Sequence, residues 1–155
     1  MKLRHESLLP LPRECVVALF SDAGLRAQWQ PGLRAYRALD GVPGTPGARA
    51  ELVVQLGGRP VVMIETVLAQ QSPPERFSAS YAAEGVVNIV HNHFVAQGDT
   101  TGWLLESELT LPPFLVLVGP LLAPVFRQQF DGMVAGFREL VASHGRGTAP
   151  APPAH

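Results

Sequence analysis

The apolar residues near the C-terminus constrain this chain more than any other feature. Phe126, Phe130, Met133, Phe137, Leu140 and Val141 recur at steps of three, four and one, so a helix running from Phe126 to about His144 carries them on one stripe. Arg127, Gln128, Asp131, Arg138 and Glu139 fall on the other side. Upstream, everything between Leu33 and Leu111 reads as strand. A single long helix with an aromatic stripe, following that much sheet, needs a concave surface to lie in.

The strands can be taken in order. Lys2 to Leu9 is a first strand with Leu3, His5 and Ser7 on one face, ended by Pro10 and Pro12. A helix is predicted over Pro12 to Ser21, with Val16, Leu19 and Phe20 buried and Cys15 half-buried beside them. Asp22 can cap a second short helix over Ala23 to Trp29, which Pro31-Gly32 stops. Strands follow at Leu33 to Leu39, Ala48 to Leu56, Arg59 to Gln70, Phe77 to Ala82, Val86 to Ala96 and Gly102 to Leu111. Gly57-Gly58 is a hairpin turn, Ser72-Pro73-Pro74 breaks the chain, and Gln97-Gly98-Asp99-Thr100 links the last two strands. The loop Asp40 to Gly47 has no lysine and no following helix, so it is a turn or lid and not a phosphate cradle. Hairpins without crossover helices give an antiparallel sheet, an α+β arrangement, and exclude a doubly wound fold.

Composition limits the function classes. At 155 residues the chain suits one domain, taken as residues 1–144, that buries roughly 68–70% of its unfolded surface. Residues 145–155 (GRGTAPAPPAH) are low in complexity and read as a disordered tail. A net charge of −1 without any basic cluster lacks the footprint of nucleic-acid binding. Cys15 is the only cysteine, which excludes an internal disulfide and suits a reducing compartment. The N-terminus MKLRHESLLP has no apolar core of a secretory signal. The uncharged run Leu111 to Phe126 is too short for a membrane span and carries four prolines, which rule out one continuous helix there. A soluble, cytoplasmic protein without a membrane span is expected.

The segments LPRECVVALFSDAGLRAQWQPGL, GVPGTPGARAEL, SPPERF and FRQQFDGMVAGFRELV resemble the helix-grip superfamily, over about residues 1–144. That superfamily includes START-type lipid carriers, polyketide cyclase/dehydratase-like proteins and plant hormone-binding relatives. The resemblance implies a seven-stranded antiparallel sheet curved around the C-terminal helix, with two short helices between the first and second strands and an elongated apolar cavity inside. It implies no shared catalytic set, and of the residues only Trp29 is carried over as matching.

Strand parity then assigns faces. Pairing Ala96 with Trp103 sets Phe94 against Leu105, Asn92 against Ser107, Val90 against Leu109 and Asn88 against Leu111 on the face toward the helix. The opposite face carries His93 against Glu106 and His91 against Glu108. These four read as solvent-facing cross-strand pairs, and no metal site is expected. Asn88, Asn92 and Ser107 are the polar candidates inside; they either bind a ligand's polar end or satisfy one another and buried water. The rest of the expected ligand-contacting wall is Trp29, Leu52, Val54, Tyr81, Val90, Phe94, Trp103, Leu105, Phe126, Phe130, Met133 and Phe137. Glu65 faces inward if the turn is Gly57-Gly58 alone, and outward if Arg59 joins the turn. Inward, it is the one candidate general acid or base.

Two functions compete. One is carriage or sensing of a hydrophobic small molecule such as a lipid, fatty acid or polycyclic compound. The other is an enzyme of the cyclase or dehydratase kind using the same cavity. No GxSxG, HExxH or carboxylate pair is present, so whether the chain is an enzyme stays open, no cofactor is implied, and a homodimer is left open. The apolar run Leu111 to Phe126 also suits contact with a protein or membrane.

Overall fold

Tight hairpins set the sheet. The computed structural model describes residues 1–70 and 76–147, and every strand in it pairs antiparallel with its neighbours. The chain runs β1 (Lys2–Leu9), α1 (Arg13–Ser21), a 3-10 turn (Ala23–Leu25) continuing into α2 (Arg26–Trp29), then β2 (Leu33–Asp40) and β3 (Arg49–Leu56). It continues as β4 (Arg59–Gln70), β5 (Arg76–Ala83), β6 (Val86–Gln97), β7 (Thr100–Thr110), α3 (Pro113–Val116) and α4 (Gly119–Gly147). The seven strands lie in the order β1-β7-β6-β5-β4-β3-β2, so the first strand closes onto the last and β2 forms the far edge. This is the helix-grip arrangement. The break expected at Ser72-Pro73-Pro74 and the tail from residue 148 lie outside the described residues.

The hydrophobic stripe of α4 meets the sheet as its period requires. Phe130, Val134, Phe137, Leu140 and Val141 are buried against Val90, Phe94, Trp103 and Leu105 of β6 and β7, and against Val16 and Leu19 of α1. Arg127, Gln128, Asp131, Arg138 and Glu139 are exposed. Phe20 stacks on Trp29 at 5.6 Å, and Phe137 packs edge-on to Trp29 at 5.2 Å and to Trp103 at 5.1 Å. A second, smaller core of Ala50, Leu52 and Val54 lies under β3.

Four expectations are corrected. The long helix begins at Gly119, not Phe126: Pro120 sits in its first turn, where no N–H is needed, and exposed Pro124 is accommodated within it. The same helix runs on through 145–147, the residues expected to open the tail. Cys15 is exposed, because α1 is covered only on its Val16 and Leu19 side. The last hairpin is tighter than expected, with Gln97 paired to Thr100 around Gly98-Asp99 and Gly98 in the left-handed region at φ +65°. That shifts every partner across β6 and β7 by two residues. A shift of two preserves side-chain parity, so the inner and outer faces are as expected while the pairs are not.

Candidate functional site

Between the inner face of the sheet and helices α3 and α4 lies a cavity of about 580 Å³. Val54, Leu56, Val61 and Met63 of β3 and β4 form one wall. Val90, Trp103, Leu105 and Leu109 of β6 and β7 form another, and Phe20 and Trp29 lie at one end. Phe114, Leu115, Leu122, Val125, Phe126, Phe130 and Met133 cover it from the helical side. The apolar run expected at Leu111 to Phe126 therefore borders the cavity. Its other side faces out: Val116 and Leu121 are exposed and Leu117 is 91% exposed.

The polar groups on this lining are few and mostly engaged. Asn92, 4% exposed at mid-β6, accepts a 2.9 Å hydrogen bond at Oδ1 from Trp103 Nε1. Ser107 Oγ donates to Asn88 Oδ1 at 2.6 Å. The expected pairing of Asn92 with Ser107 is thus overturned by the two-residue register shift: Asn92 lies across from Leu105, and Ser107 across from Val90. Gln30, also buried on the lining, accepts at Oε1 from Arg26 Nη2 at 3.3 Å.

Glu65 resolves inward. The turn is Gly57-Gly58 with Leu56 paired to Arg59, which puts Glu65 on the same face as Val61 and Met63. Its carboxylate is clamped by Arg26, with Oε2 2.7 Å from Nη2 and Oε1 3.1 Å from Nη1. The side chains are 12% (Arg26) and 5% (Glu65) exposed. Burial works against the Arg26 charge, but the Tyr81 and Glu65 oxygens and then Tyr36 outweigh it and raise its pKa. The Arg26 guanidinium also lies 5.0 Å over the Tyr36 ring. Tyr81 stands across from Glu65 on β5 and lines the cavity. Burial, then the Glu65 charge, pushes the Tyr81 phenol far up, with Arg26 opposing. Tyr81 therefore stays protonated, and Glu65 is one half of a buried ion pair that does not itself line the cavity.

The histidines lie elsewhere. In the observed register His91 stands across from Glu106 and His93 across from Leu104, which replaces the expected His93–Glu106 and His91–Glu108 pairs. His91 Nδ1 is 2.7 Å from Ser78 Oγ on β5. Among the described residues no cluster of His, Cys, Asp and Glu has the composition of a metal site. His5 sits on β1 edge-on to Trp103 at 5.6 Å, with its Nε2 buried and without a hydrogen-bond partner among the described residues.

Of the expected wall, Trp29, Val54, Tyr81, Asn88, Val90, Asn92, Trp103, Leu105, Ser107, Phe126, Phe130 and Met133 line the cavity. Leu52, Phe94 and Phe137 do not: each is fully packed in a core, Leu52 under β3 and the two phenylalanines around Trp29 and Trp103. Sequence reasoning missed Gln30 and the Arg26 clamp, which sit on a one-turn helix too short to show a period. An inward glutamate does require a cation, and that requirement could have pointed to Arg26. It also missed Arg59 and Glu84, an exposed ion pair of 2.7 Å on the cavity lining.

Known structures share this fold. An aromatase/cyclase from Streptomyces sp. R1128 superposes with a TM-score of 0.76 at 12% identity, over 92% of this chain and 93% of its own. A START superfamily protein from Mycobacterium smegmatis does so at 0.70 and 18%, over 92% and 97%. Norcoclaurine synthase from Thalictrum flavum, solved in complex with dopamine and hydroxybenzaldehyde, gives 0.66 and 18%, over 93% and 87%. No curated protein matches the sequence. The family model for polyketide cyclase/dehydrase and lipid transport proteins matches residues 1–142, and the chain belongs to that family.

Proposed function

We propose that this protein binds and carries a hydrophobic small molecule, a lipid or polycyclic compound, in the cavity between sheet and α4. The observation that carries this reading is the cavity itself, about 580 Å³ with a mainly apolar lining and a few buried carboxamides. Sites for drug-sized ligands have that size and character. The competing reading, a cyclase- or dehydratase-type enzyme, needs an acid or base free to act on the occupant. Glu65 is committed to Arg26 and Arg59 to Glu84, and burial followed by the Glu65 charge raises the Tyr81 phenol too far for it to serve as an acid. Binding without chemistry is therefore the better-supported function. The single cysteine is in keeping with a cytoplasmic site of action.

Native mass spectrometry of freshly purified protein tests this. The expected result is an adduct of small-molecule mass that is lost on denaturation and recovered in the organic extract. Protein that carries no adduct and takes up no apolar compound when offered one overturns the reading.

A further inference from the structure

The hydrogen-bond directions around the cavity say more about the occupant than its volume does. An indole N–H can only donate, so the Trp103 contact fixes Asn92 with its oxygen toward Trp103 and its NH₂ group left over. A guanidinium can only donate, so the Arg26 contact likewise fixes the Gln30 oxygen and leaves its NH₂ group. Neither NH₂ group has an acceptor among the described residues, and both residues are buried on the lining. The Trp29 indole N–H is sealed within the packing, without a partner among the described residues, and so does not add to the donors the cavity offers. The acceptors on the lining are the Ser107 oxygen, whose proton goes to Asn88, the Gln129 oxygen, whose nitrogen donates to the Pro31 carbonyl at 2.9 Å, the Tyr81 hydroxyl, and the exposed Glu84 carboxylate that Arg59 holds. At Asn92 and at Gln30 the lining thus offers a donor.

Charge narrows the choice. A carboxylate could accept from these amides, but a desolvated anion also needs a cation, and burying one without it is prohibitive. Arg26 is held bidentate by Glu65, Arg59 is paired with Glu84, and the Met1 ammonium, also on the lining, donates to the Leu109 carbonyl at 2.9 Å, four residues along β7 from the Leu105 that stands across from Asn92. We infer that the cavity selects an uncharged, largely apolar molecule bearing a carbonyl oxygen, a ketone or quinone in preference to a free acid or a bare hydrocarbon. The Asn92 amide reads that oxygen. This inference rests on the binding function proposed above.

Three probes of nearly one skeleton test it: 9-fluorenone, fluorene and fluorene-9-carboxylate, titrated into the full-length protein at pH 7. Fluorenone is expected to bind about fivefold tighter than fluorene, the value of one added hydrogen bond, and the carboxylate weaker than either. Asn92→Leu should bring fluorenone and fluorene within about twofold of each other. Because that variant leaves the Trp103 N–H unpaired, Asn92→Leu combined with Trp103→Phe is measured beside it, with both partners apolar. Equal affinity for fluorenone and fluorene in the unmodified protein overturns the inference and leaves the binding function standing. A fluorenone preference that survives in the folded double variant overturns the role of Asn92. Tightest binding of the carboxylate overturns the charge argument. Failure of all three probes to bind overturns the binding function and the inference with it.

Discussion

Arg26 and Glu65 take two charges out of water for each other, and neither is placed to meet a ligand directly. Removing one leaves the other buried and unpaired. Glu65→Gln is expected to destabilise the fold by about 3–5 kcal/mol in chemical denaturation, and Glu65→Met with Arg26→Leu by distinctly less. A Glu65→Gln protein of unchanged stability would show that the clamp is open in solution. His5 supplies a pH prediction. Burial first, then the Arg138 charge, lowers its pKa in the folded protein, with Asp131 opposing. The unfolded chain therefore binds the proton more readily, and stability is complete above the ordinary histidine pKa of about 6.5 and falls as pH drops below it. His5→Gln should flatten the stability profile in that window; His93, also lowered by burial and then Arg76, accounts for slope that remains. At this scale the inward faces of Asn88, Asn92 and Ser107 were legible from alternation. Their partners were not, since those depend on whether Ala96 pairs with Trp103, as expected, or with Thr101, as the tight turn at Gly98-Asp99 sets it.

Helix α4 carries the largest single stake in the fold. Phe137 is fully buried between Trp29 and Trp103 and does not border the cavity, so Phe137→Ala is expected to cost about 3–5 kcal/mol. Arg138→Ala, one residue on and exposed, should cost under about 0.5 kcal/mol in the same denaturation series. Gly136 faces α2 so closely that a Cβ would overlap the Trp29 carbonyl oxygen, a backbone atom that cannot turn aside. Gly136→Ala should therefore cost about 3 kcal/mol, the upper part of the overpacking range. Hydrogen exchange across 111–126 is expected to slow when the cavity fills, because Leu115, Leu122 and Phe126 contact its interior. Unchanged exchange there on occupancy would remove α3 and the first turns of α4 from the ligand's path. The stripe of this helix was legible from its period alone, but its start was not. Prolines 120 and 124 read as breakers in sequence, yet one sits in a first turn and the other on an exposed face.

The architecture of the whole molecule follows from its hairpins: six strands without a crossover helix can only form an antiparallel sheet, and one long stripe can only close its concave side. The cavity is the part that sequence cannot fix, because an inward apolar residue reads alike whether it meets another side chain or empty space. Leu52, Phe94 and Phe137 show this, sharing parity or period with lining residues while packed solid in a core. Whether the interior takes an apolar occupant can be read by intrinsic fluorescence, because the chain's two tryptophans, Trp29 and Trp103, both line the cavity. Titration with 1-bromonaphthalene, a heavy-atom quencher, should give saturable quenching at one site, weakened when Val90→Phe and Met133→Phe fill the space. Quenching that never saturates, or is the same in the filled variant, would contradict an open ligand cavity.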